Sequence, residues 1–276
     1  MRLAVSNIGW TRAEDATILP RLAAAGAEAV EVAPGRLFDD PASVGPGAAA
    51  QARAAHEAAG LPVVSMQALL FGRPGLALVE GGAEGGAALA EYLERIIALA
   101  GALGCRPLVF GSPGNRRRGG LDPSAALAAA RPVLARLGEA AAGAGAVLCL
   151  EPNARAYGCD FLTTLGEAAE AVRTVAHPGV ALVADSGNMM LECEAPAALR
   201  PHAGLLAHLH VSAPQLGPVA PHAAFAAELI AVARGEGYDG IVTLEMRPGT
   251  GDDPAADLLR ATEMLSRLIS ASGREV

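Results

Sequence analysis

The stretch Val180-Ala181-Leu182-Val183-Ala184-Asp185 consists of five apolar residues followed directly by an acid. Its apolar residues do not alternate with polar ones, which is typical of a parallel strand buried on both faces. Similar runs recur along the whole chain, and Ala-rich stretches separate them. The predicted strands are Leu3–Ser6, Ala29–Ala33, Val63–Gln67, Pro107–Phe110, Val147–Leu150, Val180–Ala184, Leu206–Val211 and Ile241–Leu244.

Helices are predicted between these strands, at 13–25, 42–59, 86–103, 122–143, 165–175, 196–202, 221–236 and 254–271. Asp122-Pro123 has the pattern of an N-cap followed by proline in the first helical position, and glycines follow several helix ends. No Pro/Ser-rich linker divides the chain. The pattern therefore predicts the α/β class and a single (β/α)8 barrel over residues 1–276.

A doubly wound open sheet is the alternative architecture. Such a sheet would be expected to carry a glycine-rich phosphate loop after an early strand. The segment Asn7-Ile8-Gly9-Trp10, which follows the first predicted strand, does not have the GxGxxG spacing. This difference favours the closed barrel.

The composition excludes several classes of protein. The chain has 276 residues, is 52% hydrophobic and carries a formal net charge of −8, which argues against a protein that binds nucleic-acid phosphates. All 21 basic residues are arginines, so chemistry that needs a Schiff-base or P-loop lysine is excluded. We expect no membrane span and no signal peptide, because no apolar run is long enough and a strand begins at once.

The cysteines show no metal-ligand spacing. Cys105, Cys149, Cys159 and Cys193 lack any CxxC pair, and we expect them to be reduced and mostly buried in a cytoplasmic protein. A cysteine-rich zinc site is the less favoured alternative.

Four ligand-type residues lie at the carboxyl ends of the last four predicted strands, namely Glu151, Asp185, His210 and Glu245. In a closed barrel these strand ends converge on one mouth. Three carboxylates packed together repel one another, and a divalent cation would offset both this repulsion and their desolvation. Three carboxylates with one imidazole suit Mn²⁺, Mg²⁺ or Co²⁺ better than a closed tetrahedral zinc site. The alternative is that they are ordinary polar residues facing solvent.

Further polar residues lie at or near strand ends and are candidates for contacts with a substrate. His208 precedes His210 by two residues and points to the same side of its strand, either as a partner of the metal site or as a hydrogen-bonded core residue. Arg116 in a glycine-rich loop and Arg247 near Glu245 are candidates for anion contacts, with a solvated loop as the alternative for Arg116. The remaining candidates are Asn7, Trp10, Glu31, Gln67 and Asn153.

Four motifs together resemble the xylose isomerase-like superfamily of sugar and sugar-phosphate isomerases and epimerases, which act in carbohydrate metabolism. They are Leu150-Glu151-Pro152-Asn153, Asp185-Ser186-Gly187-Asn188, His208-Leu209-His210-Val211-Ser212 and Leu244-Glu245-Met246-Arg247-Pro248. Their order and spacing extend over nearly the whole chain. The branch that they resemble most is that of the ketose 3-epimerases.

The resemblance implies a metal-dependent isomerase or epimerase. Glu151, Asp185, His210 and Glu245 would bind one divalent metal, usually Mn²⁺, with Mg²⁺, Co²⁺ or Zn²⁺ as alternatives. The two glutamates would also transfer the proton through a metal-stabilised enediolate. The substrate would be a sugar, a sugar phosphate or a polyol ketone, and the family also implies a homo-oligomer.

This chain departs from the family pattern in two places. Asn188 stands where the family often has histidine, and it can hydrogen-bond a substrate hydroxyl but cannot titrate. The stretch Ser212-Ala213-Pro214-Gln215-Leu216 lacks the acid and the arginine that usually follow the metal histidine. The metal centre is therefore expected to be intact and the recognition of substrate to be altered.

Three other functions compete with an isomerase. A lyase resembling inosose dehydratase would share the metal and the enolate but would expel a hydroxyl group. A non-catalytic barrel would only bind a sugar. An endonuclease of the apurinic-site type would need several zinc ions and more histidines than the 6 in this chain.

Overall fold

The computed structural model describes residues 1–249 and 253–271 of the chain. Its strands are parallel, and each pairs with the next in chain order until β8 closes on β1. The strands are Arg2–Ser6 (β1), Ala29–Val32 (β2), Val63–Met66 (β3), Pro107–Phe110 (β4), Val147–Leu150 (β5), Val180–Asp185 (β6), Leu206–Val211 (β7) and Ile241–Leu244 (β8). The predicted (β/α)8 barrel is confirmed, and the open sheet is wrong.

Helices cover the outside of the barrel. They are Asp15–Ala24 (α1), Pro34–Leu37 (α2), Pro46–Ala58 (α3), Gly82–Leu103 (α4), Pro123–Gly143 (α5), Leu165–Val175 (α6), Ser186–Leu191 (α7), Ala223–Gly235 (α8) and Ala256–Ala271 (α9). The cap predicted before α5 is confirmed, because the Asp122 carboxylate accepts a hydrogen bond of 2.9 Å from the backbone N–H of Ala125. Gly104 ends α4 with a φ of 82°, a conformation that glycine adopts without strain.

One helix differs from its prediction. The segment predicted as a helix at 196–202 is a 3₁₀ helix over Pro196–Leu205. Pro201 lies inside it and has no N–H to donate, which disfavours a regular α-helix there. The sequence also did not predict the short helix α7, which begins directly after Asp185 and is capped by the side chain of that residue.

The two faces of each strand bury different side chains. One set, including Leu148, Leu150 and Leu182, packs against the helices in the main hydrophobic core. The other set points into the barrel, where Cys149 and Val183 form a small apolar cluster with Val109. Because side chains alternate along a strand, the residues two positions after Cys149 and Val183 reach the barrel mouth from inside.

All four cysteines are free thiols, and three of them are buried, whereas Cys193 is exposed. Burial raises the pKa of the Cys149 thiol to about 12, so this thiol stays neutral near pH 7. Among the described residues, no helix has both the length and the hydropathy needed to span a bilayer.

Candidate metal centre

The four predicted ligands meet at the carboxyl end of the barrel. Glu151, Asp185, His210 and Glu245 each offer one ligand atom, and these atoms all lie within 4.8 Å of one another. Neighbouring strands produce this convergence, since Asp185 on β6 is paired directly with His210 on β7. Asp185 and His210 are fully buried, and Glu151 and Glu245 are 8% and 9% exposed.

The imidazole of His210 faces carboxylates on both sides. Its Nδ1 lies 3.0 Å from Glu151 Oε1 and 3.4 Å from Glu245 Oε2. Neither approach has the angles of a hydrogen bond, so this buried nitrogen has no hydrogen-bond partner within residues 1–249 and 253–271. Burial alone would lower the pKa of His210, but Glu31 and the other carboxylates raise it well above its usual value. A buried nitrogen facing two carboxylates, with Asp185 in the same cluster, fits a divalent cation.

The acids of the cluster are also perturbed. Burial raises the pKa of Asp185 to about 7, and repulsion from Glu151 and Glu245 contributes to the rise. Burial raises the pKa of Glu245 as well, although His210 opposes this rise. The site thus concentrates more negative charge than the surrounding protein stabilises, which again fits a bound cation.

Asp185 is held by donors to both of its oxygens. Asn188 donates to Oδ1 through its backbone N–H at 2.6 Å and its amide at 2.8 Å, and Ser212 Oγ donates to Oδ2 at 2.7 Å. The amide oxygen of Asn188 accepts from the backbone N–H of Ala154 at 2.8 Å. Asn188 therefore orients a metal-type ligand, and the sequence predicted it only as a substrate contact.

The Glu151 carboxylate is held by an amide, which is itself held by a buried arginine. Asn153 Nδ2 donates to Glu151 Oε2 at 2.9 Å, and Arg116 Nη2 donates to Asn153 Oδ1 at 2.9 Å. Arg116 is fully buried, so the alternative of a solvated loop is wrong for this residue. Its Nε and Nη1 have no partner in the described part of the chain. The guanidinium fixes the orientation of the Asn153 amide, and that amide fixes the Glu151 carboxylate.

A second buried group lies behind His210. Glu31 Oε2 lies 2.7 Å from His208 Nε2, and Glu31 Oε1 lies 2.9 Å from His210 Nε2. All three side chains have no exposed surface. Burial would raise the pKa of Glu31, but the two histidines outweigh it and hold the pKa below its usual value. Burial lowers the pKa of His208.

The three acids of the cluster, Glu151, Asp185 and Glu245, line a cleft of about 910 Å³. Four of the predicted substrate contacts line this cleft, namely Gln67, Asn153, Asn188 and Arg247. The lining also includes residues that the sequence did not single out, among them Phe71, Tyr157, Ser212 and Gln215. Position in the loops after the strands was the only signal that these residues carried.

Five candidate substrate contacts lie outside the cleft lining, namely Arg116, His208, Trp10, Asn7 and Glu31. Arg116 supports Asn153 from beneath, and His208 binds Glu31 inside the barrel. Trp10 is buried, and its Nε1 donates to Asp15 Oδ1 at 2.6 Å. These residues therefore support the walls of the cleft and do not form its surface.

Tyr157 joins two loops at the rim of the cleft. Its hydroxyl oxygen accepts a hydrogen bond of 2.9 Å from the backbone N–H of Gln215. Gln215 adopts a left-handed conformation with a φ of 60°. The bond connects the loop after β5 to the loop after β7, where the family pattern has its acid and arginine.

The structure is a (β/α)8 barrel with a carboxylate and histidine cluster that could hold a metal ion at the carboxyl ends of its strands. The family model described as a xylose isomerase-like TIM barrel matches residues 19–268. The chain belongs to this family, as the sequence motifs predicted.

Several solved structures share this fold over almost their whole length. The chain is similar to 3-keto-D-glucoside 4-epimerase from E. coli, with a TM-score of 0.75, 20% identity and coverage of 98% of this chain and 99% of that one. It is similar to D-psicose 3-epimerase, with a TM-score of 0.73, 18% identity and coverage of 99% and 98%. L-ribulose 3-epimerase gives a TM-score of 0.71, 20% identity and coverage of 98% and 92%. No curated protein sequence matches the chain significantly.

Proposed function

We propose that this chain is a metal-dependent sugar or sugar-phosphate isomerase or epimerase. The observation that carries the proposal is the convergence of Glu151, Asp185, His210 and Glu245, whose three acids line the cleft. Membership of the xylose isomerase-like family supports it. The names of the similar structures, which include epimerases of D-psicose and L-ribulose, favour the same class of reaction.

These four residues would hold the metal in this proposal, and Mn²⁺ is the first ion to test, before Mg²⁺, Co²⁺ and Zn²⁺. When bound, a divalent cation would supply positive charge to stabilise the negative oxygen that develops on the substrate. Asn188 and Ser212 keep both oxygens of Asp185 in place through their hydrogen bonds. Asn153 does the same for one oxygen of Glu151.

The proton transfer is assigned to the two glutamates. Removal of a proton from the carbon beside a carbonyl leaves an enediolate, so one carboxylate must act as the base. We assign this role to Glu151, and we assign the return of a proton on the other face to Glu245. The two side chains extend from different strands, β5 and β8, with cluster oxygens no more than 4.8 Å apart. General acid–base catalysis of this kind contributes roughly 10²- to 10⁴-fold to a rate.

The rest of the cleft is assigned to the substrate, which would be a sugar, a sugar phosphate or a polyol ketone. Gln67 lines the cleft with an amide group, which can bind a substrate hydroxyl. Arg247 is exposed in the lining and suits a phosphate or carboxylate group. A cytoplasmic location and a homo-oligomer remain predictions.

Solvent exchange tests the proposal directly. The protein is incubated in D₂O with Mn²⁺ and a panel of ketoses and ketose phosphates, and deuterium uptake is followed by NMR and mass spectrometry. Uptake at the carbon beside the carbonyl without loss of water is the expected result. Loss of water would assign a lyase instead, and binding without exchange would assign a non-catalytic barrel.

A pair of matched variants tests the glutamate. Glu245→Gln should lower exchange by roughly 10²-fold or more, because the amide can neither accept nor return the proton. Glu228→Gln makes the same change on the exposed face of α8 and should leave exchange unchanged. Exchange at the wild-type rate in Glu245→Gln would disprove its role in proton transfer.

A further inference from the structure

Glu31 is an acid buried inside the barrel, beneath the candidate metal centre. It lies on β2, whereas the two histidines that it contacts lie on β7, 177 residues away for His208. Its carboxylate has no exposed surface, and each oxygen approaches a different imidazole. A buried acid is unfavourable unless its partners are placed to stabilise it.

The two nitrogens of the His210 ring lie close to different carboxylates. Nε2 lies 2.9 Å from Glu31 Oε1, and Nδ1 lies 3.0 Å from Glu151 Oε1; both are ion-pair distances without the angles of a hydrogen bond. A carboxylate behind a histidine sets which nitrogen bears the proton and turns the other nitrogen toward a metal. His210 is thus held with Nδ1 facing the carboxylates of the candidate centre.

The second oxygen of Glu31 is occupied as well. Glu31 Oε2 and His208 Nε2 are 2.7 Å apart and hydrogen-bonded. Thr243 Oγ1 approaches the same nitrogen of His208 at 3.2 Å. His208 and Thr243 therefore restrict rotation of the Glu31 carboxylate from the far side of the barrel.

We propose that Glu31 is a positioning residue for the candidate metal centre, which it serves by fixing the ring of His210 with Nδ1 toward Glu151 and Glu245. His208 acts one step further away by holding Glu31. The inference rests on the proposed function only in requiring a cation at the four-residue cluster.

A second metal ion bound by Glu31, His208 and His210 is the other interpretation of this group. These three residues also bring ligand atoms within 4.8 Å of one another. Such an ion would need Nε2 of His210 as a ligand while Nδ1 faces the first centre. All three side chains are enclosed, with no surface open to an entering ion. If Glu31 and His208 serve to orient His210, their proximity needs only one ion, bound at the four-residue cluster.

Calorimetric titration of the metal-free protein with Mn²⁺ tests the proposal without any substrate. We expect one ion per chain, and Glu31→Gln should weaken binding roughly 10- to 100-fold. Glu28→Gln is the matched control, because Glu28 lies three residues earlier and is exposed. It should bind Mn²⁺ as the wild type does. Electron paramagnetic resonance of the bound Mn²⁺ should also change in Glu31→Gln and stay unchanged in Glu28→Gln.

A shorter acid separates orientation from charge. Glu31→Asp keeps the negative charge but withdraws it from His210, and we expect weaker binding here too. Glu31→Asp also tests the positioning role of Glu31 if Glu31→Gln does not fold. Wild-type affinity in Glu31→Asp would assign the effect to charge alone and overturn the positioning role.

The remaining outcomes separate this inference from the proposed function. Affinity within twofold of wild type in a folded Glu31→Gln would overturn the inference and leave the proposed function standing. Two ions per chain, one of them lost in Glu31→Gln, would assign a second metal site instead. A wild-type protein that binds none of Mn²⁺, Mg²⁺, Co²⁺ and Zn²⁺ would overturn both.

Discussion

Gly111 offers a direct test of the position of the Glu151 carboxylate. It follows β4, and a methyl group added to it would overlap Glu151 Oε2 and lie 3.1 Å from Asn153 Oδ1 and 3.3 Å from Asn153 Nδ2. The backbone of Gly111 is not in the left-handed region, so alanine can adopt its conformation. Gly111→Ala therefore perturbs the carboxylate and its amide donor while leaving the backbone unstrained.

The size of the effect follows from the displacement. The carboxylate must retreat by about 1 Å to reach ordinary contact distance from the new methyl group. A misplacement of about 1 Å in a reacting group costs roughly 10²-fold in rate. The free energy of unfolding should change by only about 1 kcal/mol, because overpacking is opposed by the lower entropy of the unfolded chain.

The assay measures three quantities on the same preparation: deuterium exchange with the accepted ketose, affinity for Mn²⁺ and the thermal unfolding midpoint. Gly143→Ala is the control, since a methyl group there meets nothing within 4 Å. We expect exchange and affinity to fall in Gly111→Ala while the midpoint moves by a few degrees. Wild-type exchange and affinity in that variant would refute the described placement of Glu151.

Two further predictions concern buried charge. Arg116→Met should lower exchange at least tenfold, because Asn153 loses the donor that orients it. The unfolding free energy should stay similar or rise, because an incompletely paired buried cation is removed. Arg131→Met, at an exposed position on α5 away from the cleft, is the control, and equal exchange in both variants would contradict the role of Arg116. Stabilisation by Mn²⁺ should grow from pH 5 to pH 8 in thermal unfolding. Burial raises the pKa of Asp185 to about 7, so the folded metal-free protein holds a proton that the unfolded chain releases near pH 4. The metal-free protein therefore loses stability as pH rises through this window, and a pH-independent effect of the ion would count against the assignment.

Much of the architecture was predictable because it is encoded locally. The apolar runs predicted the strands β1 to β8 to within about one residue at either end, since a strand buried on both faces needs apolar residues throughout. The convergence of Glu151, Asp185, His210 and Glu245 was predictable too, because parallel strands of a closed barrel end at one mouth. Pro201 lies inside residues 196–202, and this proline was the local signal that the segment would form a 3₁₀ helix.

The supports of the site were not predictable from local pattern. The loop that carries Arg116 has the composition of a solvated segment, and only packing against Phe110 and Asn153 shows that this arginine is enclosed. Asn188 was expected to contact substrate, but its amide is occupied by Asp185 and Ala154. Glu31 was one polar residue among several near strand ends, and its partners lie across the barrel.

The amino-acid sequence alone thus determined the barrel, its family and the four side chains that converge at its mouth, since hydrophobic periodicity and strand order depend on neighbours along the chain. The tertiary structure decided which side chains from different strands and loops come into contact, including Glu31 with His208 and Arg116 with Asn153. These side-chain contacts depend on how the barrel closes and on the rotamers that packing permits. No short stretch of sequence determines the closure of the barrel or these rotamers.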